Sequence, residues 1–158
     1  MLQSLPGTYV VILYSQHEGE INIGKRLSLS VHPGYYAYIG SAFDSGGVAS
    51  RIRHHSSAIK RPHWHQDYLH QYSRVIEVWF SYDTQRRECQ WASMMESIGA
   101  LYIPIKGFGA TDCACSTHLM YSSTRPEFEQ FQYMVMKQIT DQQAIDFLTM
   151  ESSEDGNR

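Results

Sequence analysis

Apolar positions along the chain fall into short blocks with two different periods. Tyr9 to Tyr14, YVVILY, is a continuous apolar run of strand length entered through a Pro6-Gly7 turn. Gln16 to Gly19 reads as a turn. Leu27, Leu29 and Val31 then alternate with polar residues, which predicts a further strand within Ile21 to Val31 after the break at Gly24. His32-Pro33-Gly34 is a turn signal, and Tyr35 to Ile39 is the next strand. Connections this short suggest an antiparallel meander. The period then changes. Val48 and Ile52 lie at i, i+4, which predicts a helix over about Gly47 to Ser57. Arg51 and His55 fall on the shoulder of its buried stripe, and Arg53 points away.

His63 to Tyr72 reads as a short aromatic helix through Asp67 and Leu69, and Ser73 to Tyr82 as a strong strand. Asp83-Thr84 is placed to cap a helix over Gln85 to Ile98, with Glu88, Trp91, Ala92, Met95 and Gly99 on one stripe. A strand over Ala100 to Ile105 and a glycine-rich loop over Lys106 to Cys115 follow. Arg125-Pro126 opens a helix to about Gln138, and Asp141 another to about Met150. ESSEDGNR, residues 151–158, reads as a disordered tail. The pattern predicts one α+β domain over residues 1–150, with a small central antiparallel sheet of three or more strands flanked by helices.

Composition narrows this little. At 158 residues the chain can bury its own core. No apolar run approaches the roughly 20 residues that span a bilayer, so no membrane partner is expected. MLQSLPGTY lacks the basic and apolar regions of a signal peptide, which points to a cytoplasmic or nucleoid-associated protein. Three cysteines argue for a reducing compartment and against a disulfide framework. A net charge of −3 argues against strong nucleic-acid binding overall. Its distribution changes that picture. Arg51, Arg53, Lys60 and Arg61, interleaved with His54, His55, His63 and His65, form a strip without an acid, while Glu151, Glu154 and Asp155 sit in the tail. Such a strip can neutralise a few phosphates, and it can equally be a solvated face.

The chemistry concentrates between Tyr35 and His55. A strand residue, Tyr38, and two helix residues, Arg51 and His55, can converge at the seam between sheet and helix. Gly40-Ser41-Ala42 is small enough for another backbone or a ligand to approach closely. Asp44-Ser45-Gly46-Gly47 offers an N-cap. Glu88 on an apolar stripe must be paired, protonated or metal-bound if buried, and an exposed first-turn glutamate fits the same pattern. Cys113, Cys115 and His118 have three zinc-type ligands in six residues, which His63, His65 or Cys89 could complete. Packed cysteines in a glycine-rich loop explain them as well. His63-Trp64-His65 is suited to stacking on a base or to plugging the core.

Gly7-Thr8-Tyr9 and Tyr38-Ile39-Gly40 are similar to the two half-motifs of the GIY-YIG nuclease superfamily. YYAYIGSA, RIRHH, HWHQDYL, ECQWA and GFGATDCACSTHL extend the likeness over roughly residues 7–120, and it resembles most a small, poorly characterised branch. The resemblance implies a metal-dependent endonuclease that hydrolyses phosphodiester bonds and leaves a 5′-phosphate, with DNA expected over RNA. It implies Tyr9 and Tyr38 near the water and phosphate, Arg51 and His55 beside them, and Glu88 holding Mg²⁺ or Mn²⁺. Gly40, Arg53, His54, Lys60, Arg61, His63 and His65 are the residues expected to meet nucleic acid. Thr8 stands where isoleucine or valine is common, and the late asparagine of many members has no clear match. A non-catalytic nucleic-acid-binding or repair-accessory module is therefore the alternative. No dedicated target-recognition domain is read, so such a nuclease either prefers structured or flexible substrates or relies on a partner protein for specificity. A structural Zn²⁺ on Cys113, Cys115 and His118 is the third reading.

Overall fold

The computed structural model describes residues 2–23, 27–56, 69, 71–98 and 118–150. Among these the strands are β1 (Gly7–Ser15), β2 (Gly19–Ile23), β3 (Leu27–Val31), β4 (Gly34–Ala42), β5 (Arg74–Tyr82), β6 (Leu119–Ser122) and β7 (Asp146–Thr149). The helices are α1 (Gly47–Ser56), α2 (Glu88–Glu96) and α3 (Phe128–Gln138). Five strands form an antiparallel sheet in the order β6-β4-β1-β5-β7, and β2 and β3 form a separate hairpin. The expected α+β class holds.

β1 is central because it is apolar on both faces. Tyr9, Val11 and Leu13 point to one side, where α1 packs through Val48 and Ile52 and where Leu29 and Val31 also pack. Val10 and Ile12 point to the other, against Trp91, Ala92 and Met95 of α2 and Phe131 and Val135 of α3. The pairing of β1 with β5 slips between Ile12 and Leu13, so that Ile76 is an extra residue on β5. This bulge lets Ile76 and Trp79 share the second face.

The meander expectation is corrected. β4 and β5 occupy both edges of β1, and β2 and β3 pair with each other in a separate hairpin. The second C-terminal helix is corrected too. Asp146–Thr149 is an edge strand on β5, pairing Phe80 with Asp146 through Glu77 with Thr149. Ile145 to Thr149 alternates as well as it turns, and the free edge of β5 decides between the two. Leu119–Ser122, to which the sequence pattern assigns no element, is β6 on the edge of β4. α2 begins three residues later than its pattern suggests, because Asp83 is used otherwise, as described below. The predicted elements over residues 63–68 and 100–105, the glycine-rich loop and the tail lie outside the described residues.

The odd cysteine count pointed away from disulfides, yet Cys89, the second residue of α2, is disulfide-bonded. An odd count excludes complete pairing, not a single bridge. No helix among the described residues is long and apolar enough to cross a membrane.

Candidate active site

The two half-motifs lie side by side. β1 and β4 pair so that Tyr9 faces Gly40 and Val11 faces Tyr38. Tyr9 and Tyr38 are therefore diagonal neighbours on one face, the face that α1 crosses. Gly40 explains itself here. A Cβ on it would stand 2.5 Å from the Tyr9 hydroxyl and 2.6 Å from the ring carbon that carries it. The space that the sequence assigns to a ligand or nucleic acid is filled by the Tyr9 phenol, so Gly40 seats the ring. Gly7 is constrained likewise, since a Cβ there would run into the Ser81 carbonyl oxygen of β5.

α1 is set in place by the residues before β1. Val48 and Ala49 donate their backbone N–H groups to the carbonyls of Leu5 and Gln3, at 2.8 and 3.1 Å. The first turn of the helix is thus closed by the chain itself. Gly47 has φ +58° and lies against the Leu5 backbone, a conformation and a space that only glycine tolerates. The side chain of Asp44 does not serve as the expected cap: it binds Arg51, Nη2 to Oδ2 at 3.0 Å.

One turn beyond Arg51, His55 is buried and its Nε2 lies 3.0 Å from the Tyr9 hydroxyl. The two rings meet edge to face at 5.3 Å, and the Tyr38 ring lies 5.8 Å from the same imidazole. Tyr9 is fully buried. Burial raises its pKa, the charge and hydrogen bond of Arg51 lower it, and the charges of Glu88 and Asp44 raise it again, with a net value of about 12. The phenol is therefore protonated at neutral pH. Burial also opposes the charge on Arg51, but hydrogen bonds to Asp44 and Tyr9 and their charges outweigh it, and its pKa is raised. Asp44 is held below the usual carboxylate range by its hydrogen bond from Arg51.

Glu88 is the first residue of α2. Its charge acts on Tyr9, and its Oε2 lies 3.5 Å from Nδ1 of the buried His118. The backbone carbonyl of His118 accepts the N–H of Ile39, between Tyr38 and Gly40, at 2.9 Å. The start of α2 is tied down twice. Arg87 donates its backbone N–H to Thr8 Oγ1 at 3.4 Å, and its guanidinium binds Asp83 Oδ2 at 3.0 Å and Asp141 Oδ1 at 3.1 Å. Thr8, a departure from the motif by sequence, thus links the residue before Tyr9 to the residue before Glu88.

The structure brings Tyr9, Tyr38, Arg51 and His55 together, and the charge of Glu88 acts on Tyr9. Arg53 is exposed on α1 and His54 is half-buried, its ring 6.0 Å from His55. Lys60, Arg61, His63 and His65 lie outside the described residues, as do Cys113 and Cys115. His118, grouped with those cysteines by spacing, instead faces Glu88. Sequence reasoning missed Asp44 as the partner of Arg51, and Thr8 and Arg87 as anchors of Glu88. The Asp83-to-Arg87 spacing of i, i+4 was the available signal.

The donors suit a hard divalent cation. Among the described residues no group of three or more His, Cys, Asp or Glu lies close enough to hold a metal ion. A half-open carboxylate with water and phosphate oxygens to complete the shell is a common Mg²⁺ arrangement, and Glu88, with its side chain 23% exposed, fits that.

No curated protein and no solved structure matches the chain. A family model does, over residues 8–141, a span that takes in Tyr9, Tyr38, Arg51, His55, Glu88 and His118. The chain belongs to the family described as domain of unknown function DUF123.

Proposed function

We propose that this protein is a metal-dependent endonuclease of the GIY-YIG type, acting on phosphodiester bonds of nucleic acid, with DNA favoured over RNA. The observation that carries the reading is the meeting of Tyr9, His55 and Arg51, from β1 and α1, with the charge of Glu88 of α2 acting on the same phenol. A fold needs no phenol–imidazole pair beside a guanidinium and a carboxylate at that seam.

With His55 neutral and its ring proton on Nδ1, the Tyr9 hydroxyl donates to Nε2 across 3.0 Å. Tyr9 then takes a proton from the attacking water as its own passes to His55. A phenolate is never required, which suits a phenol held at about 12. The water oxygen bonds to phosphorus, the bond to the 3′ oxygen breaks, and that oxygen takes a proton from solvent. The products are a 5′-phosphate and a 3′-hydroxyl. Arg51 neutralises charge on the phosphoryl oxygens, and Tyr38 positions the phosphate. Glu88 holds the cation, Mg²⁺ or Mn²⁺, which when bound stabilises the leaving oxygen. Arg53 and His54 extend the contact along the backbone of the nucleic acid.

One observation favours the alternative of a non-catalytic binding module: Tyr9 is fully buried, leaving Arg51 and Glu88 as the groups a substrate meets first. A cleavage panel decides between the two. Single-stranded, duplex, flapped and branched DNA and a matching RNA are incubated with Mg²⁺, Mn²⁺ or EDTA. Metal-dependent cutting lost in Glu88→Ala and Arg51→Ala supports the nuclease. Binding without cutting, unchanged by Glu88→Ala, overturns it.

A further inference from the structure

We infer that His118 is a second protein donor of the metal site, so that the cation rests on Glu88 and His118 together and Mn²⁺ is held more tightly than Mg²⁺. This rests on the nuclease reading and adds a ligand to its metal site. Nδ1 of His118 and Oε2 of Glu88 are 3.5 Å apart. A charge-assisted hydrogen bond between them would sit at about 2.7–2.9 Å. Two donors sharing one ion, each at about 2.1 Å and about 90–110° apart, stand about 3.0–3.5 Å from each other. At 3.5 Å the spacing is longer than such a bond and lies at the upper end of the range for two donors on one ion.

Burial agrees with it. The His118 side chain is 1% exposed and that of Glu88 is 23% exposed. The imidazole is a fixed inner donor, and the carboxylate leaves an open side for water and a phosphate oxygen. Each donor is also anchored independently. His118 is held at the start of β6, its carbonyl bonded to Ile39 and its neighbour Leu119 paired with Tyr38. Glu88 is held by the ties of Arg87 to Thr8, Asp83 and Asp141. The donors thus come from elements that the two half-motif strands position. An imidazole nitrogen beside a carboxylate suits Mn²⁺ and later transition metals, whereas Mg²⁺ prefers oxygen throughout.

The test uses the full chain loaded with Mn²⁺, read by pulsed electron paramagnetic resonance and by titration calorimetry. The expected result is nitrogen coupling to the bound Mn²⁺ that is lost in His118→Gln and kept in His55→Gln and His54→Gln. Mn²⁺ affinity should fall about tenfold or more in His118→Gln, with Mg²⁺ affinity changed less than about threefold. If His118→Gln does not fold, nitrogen coupling in the wild type that persists in the other two variants supports the inference. Mn²⁺ bound without nitrogen coupling overturns it, as does coupling unchanged in a folded His118→Gln. In either case binding lost in Glu88→Gln leaves the metal site itself standing. No Mn²⁺ binding by the wild type overturns both.

Discussion

On one face of the sheet, α1 lies over Tyr9 and Tyr38 and its His55 is buried against both rings. On the other, α2 and α3 cover Trp79 and bury Trp91 and Phe131 with Val10, Ile12 and Ile39. The strands are the same, and β1 sends alternate residues to each side. The difference lies in the polar groups. On the α2–α3 face Gln142 is tied up inside the protein, accepting from Trp91 Nε1 at 3.1 Å and donating to Ser81 Oγ at 3.0 Å. On the α1 face a phenol, an imidazole and a guanidinium meet near a half-exposed carboxylate. One face supplies stability, and the other holds titratable groups in a low-dielectric setting where their interactions are strong. This division can be broken experimentally.

The sharpest contrast pairs Glu88→Ala with Phe131→Ala. The Phe131 ring is fully buried and packs edge to face on Trp91 at 5.1 Å. Its removal should cost about 3–5 kcal/mol in urea unfolding, with cleavage per folded molecule unchanged. Glu88→Ala should lose at least about 10³-fold in cleavage and less than about 1 kcal/mol of stability. If Phe131→Ala abolishes cutting under conditions where it remains folded, the two faces are not separable.

The α1 face was the more legible one in the sequence. Short-range spacing carries it: Arg51 and His55 are one turn apart, and Tyr38 and Gly40 share a strand face. What lay beyond reach was long-range. Nothing local shows that Leu119–Ser122 and Asp146–Thr149 complete sheet edges, because an edge strand is chosen by the vacant neighbour rather than by its own pattern. The site's anchors failed to show for the same reason. Thr8 and Arg87 meet across 79 positions, and His118 reached Glu88 through pairing with β4. Asp44 read as a cap because both uses of a turn aspartate look alike in sequence. Gly40 read as an opening because its occupant, Tyr9, lies on another strand.

The buried phenol gives the α1 face a signature in alkali. With a pKa of about 12 in the fold against about 10 unfolded, Tyr9 is protonated in both states below pH 10. The stability it contributes is complete there. It is lost as pH rises from about 10 to 12, because the unfolded chain releases the proton first. The integrated loss is about 3 kcal/mol. Wild type should weaken over that window more steeply than Tyr9→Phe, measured by denaturant unfolding at fixed pH. Parallel curves would mean that the phenol is hydrated in the fold.

Gly40→Ala tests the seat of the same ring. A methyl 2.5 Å from the Tyr9 hydroxyl forces the phenol off His55. Overpacking of this kind costs about 1–3 kcal/mol, and cleavage should fall with it even where the protein is folded. Gly40→Ala with Tyr9 removed as well, in Gly40→Ala/Tyr9→Ala, should regain stability relative to the sum of the single variants. Simple additivity would show that the contact is not the cause.

The smallest expected effect is the most discriminating about how the faces cooperate. Thr8 is fully buried and alternates with Tyr9, so its side chain belongs to the α2–α3 face. Its hydroxyl accepts the Arg87 N–H at 3.4 Å, long for a hydrogen bond. Thr8→Val keeps the shape and removes the acceptor, which should cost about 1 kcal/mol. If Thr8 only fills space, cleavage per folded molecule will not change. If it sets the first turn of α2, Glu88 shifts against Tyr9 and kcat falls about tenfold with KM held within about twofold, since small misplacements of a catalytic group are costly. Thr8→Ser restores the acceptor without the methyl group, and so should recover kcat even if it recovers little stability. A kcat that follows stability through all three residues would return Thr8 to the core. A kcat that follows the hydroxyl would show the face built for stability holding the metal carboxylate of the face built for chemistry.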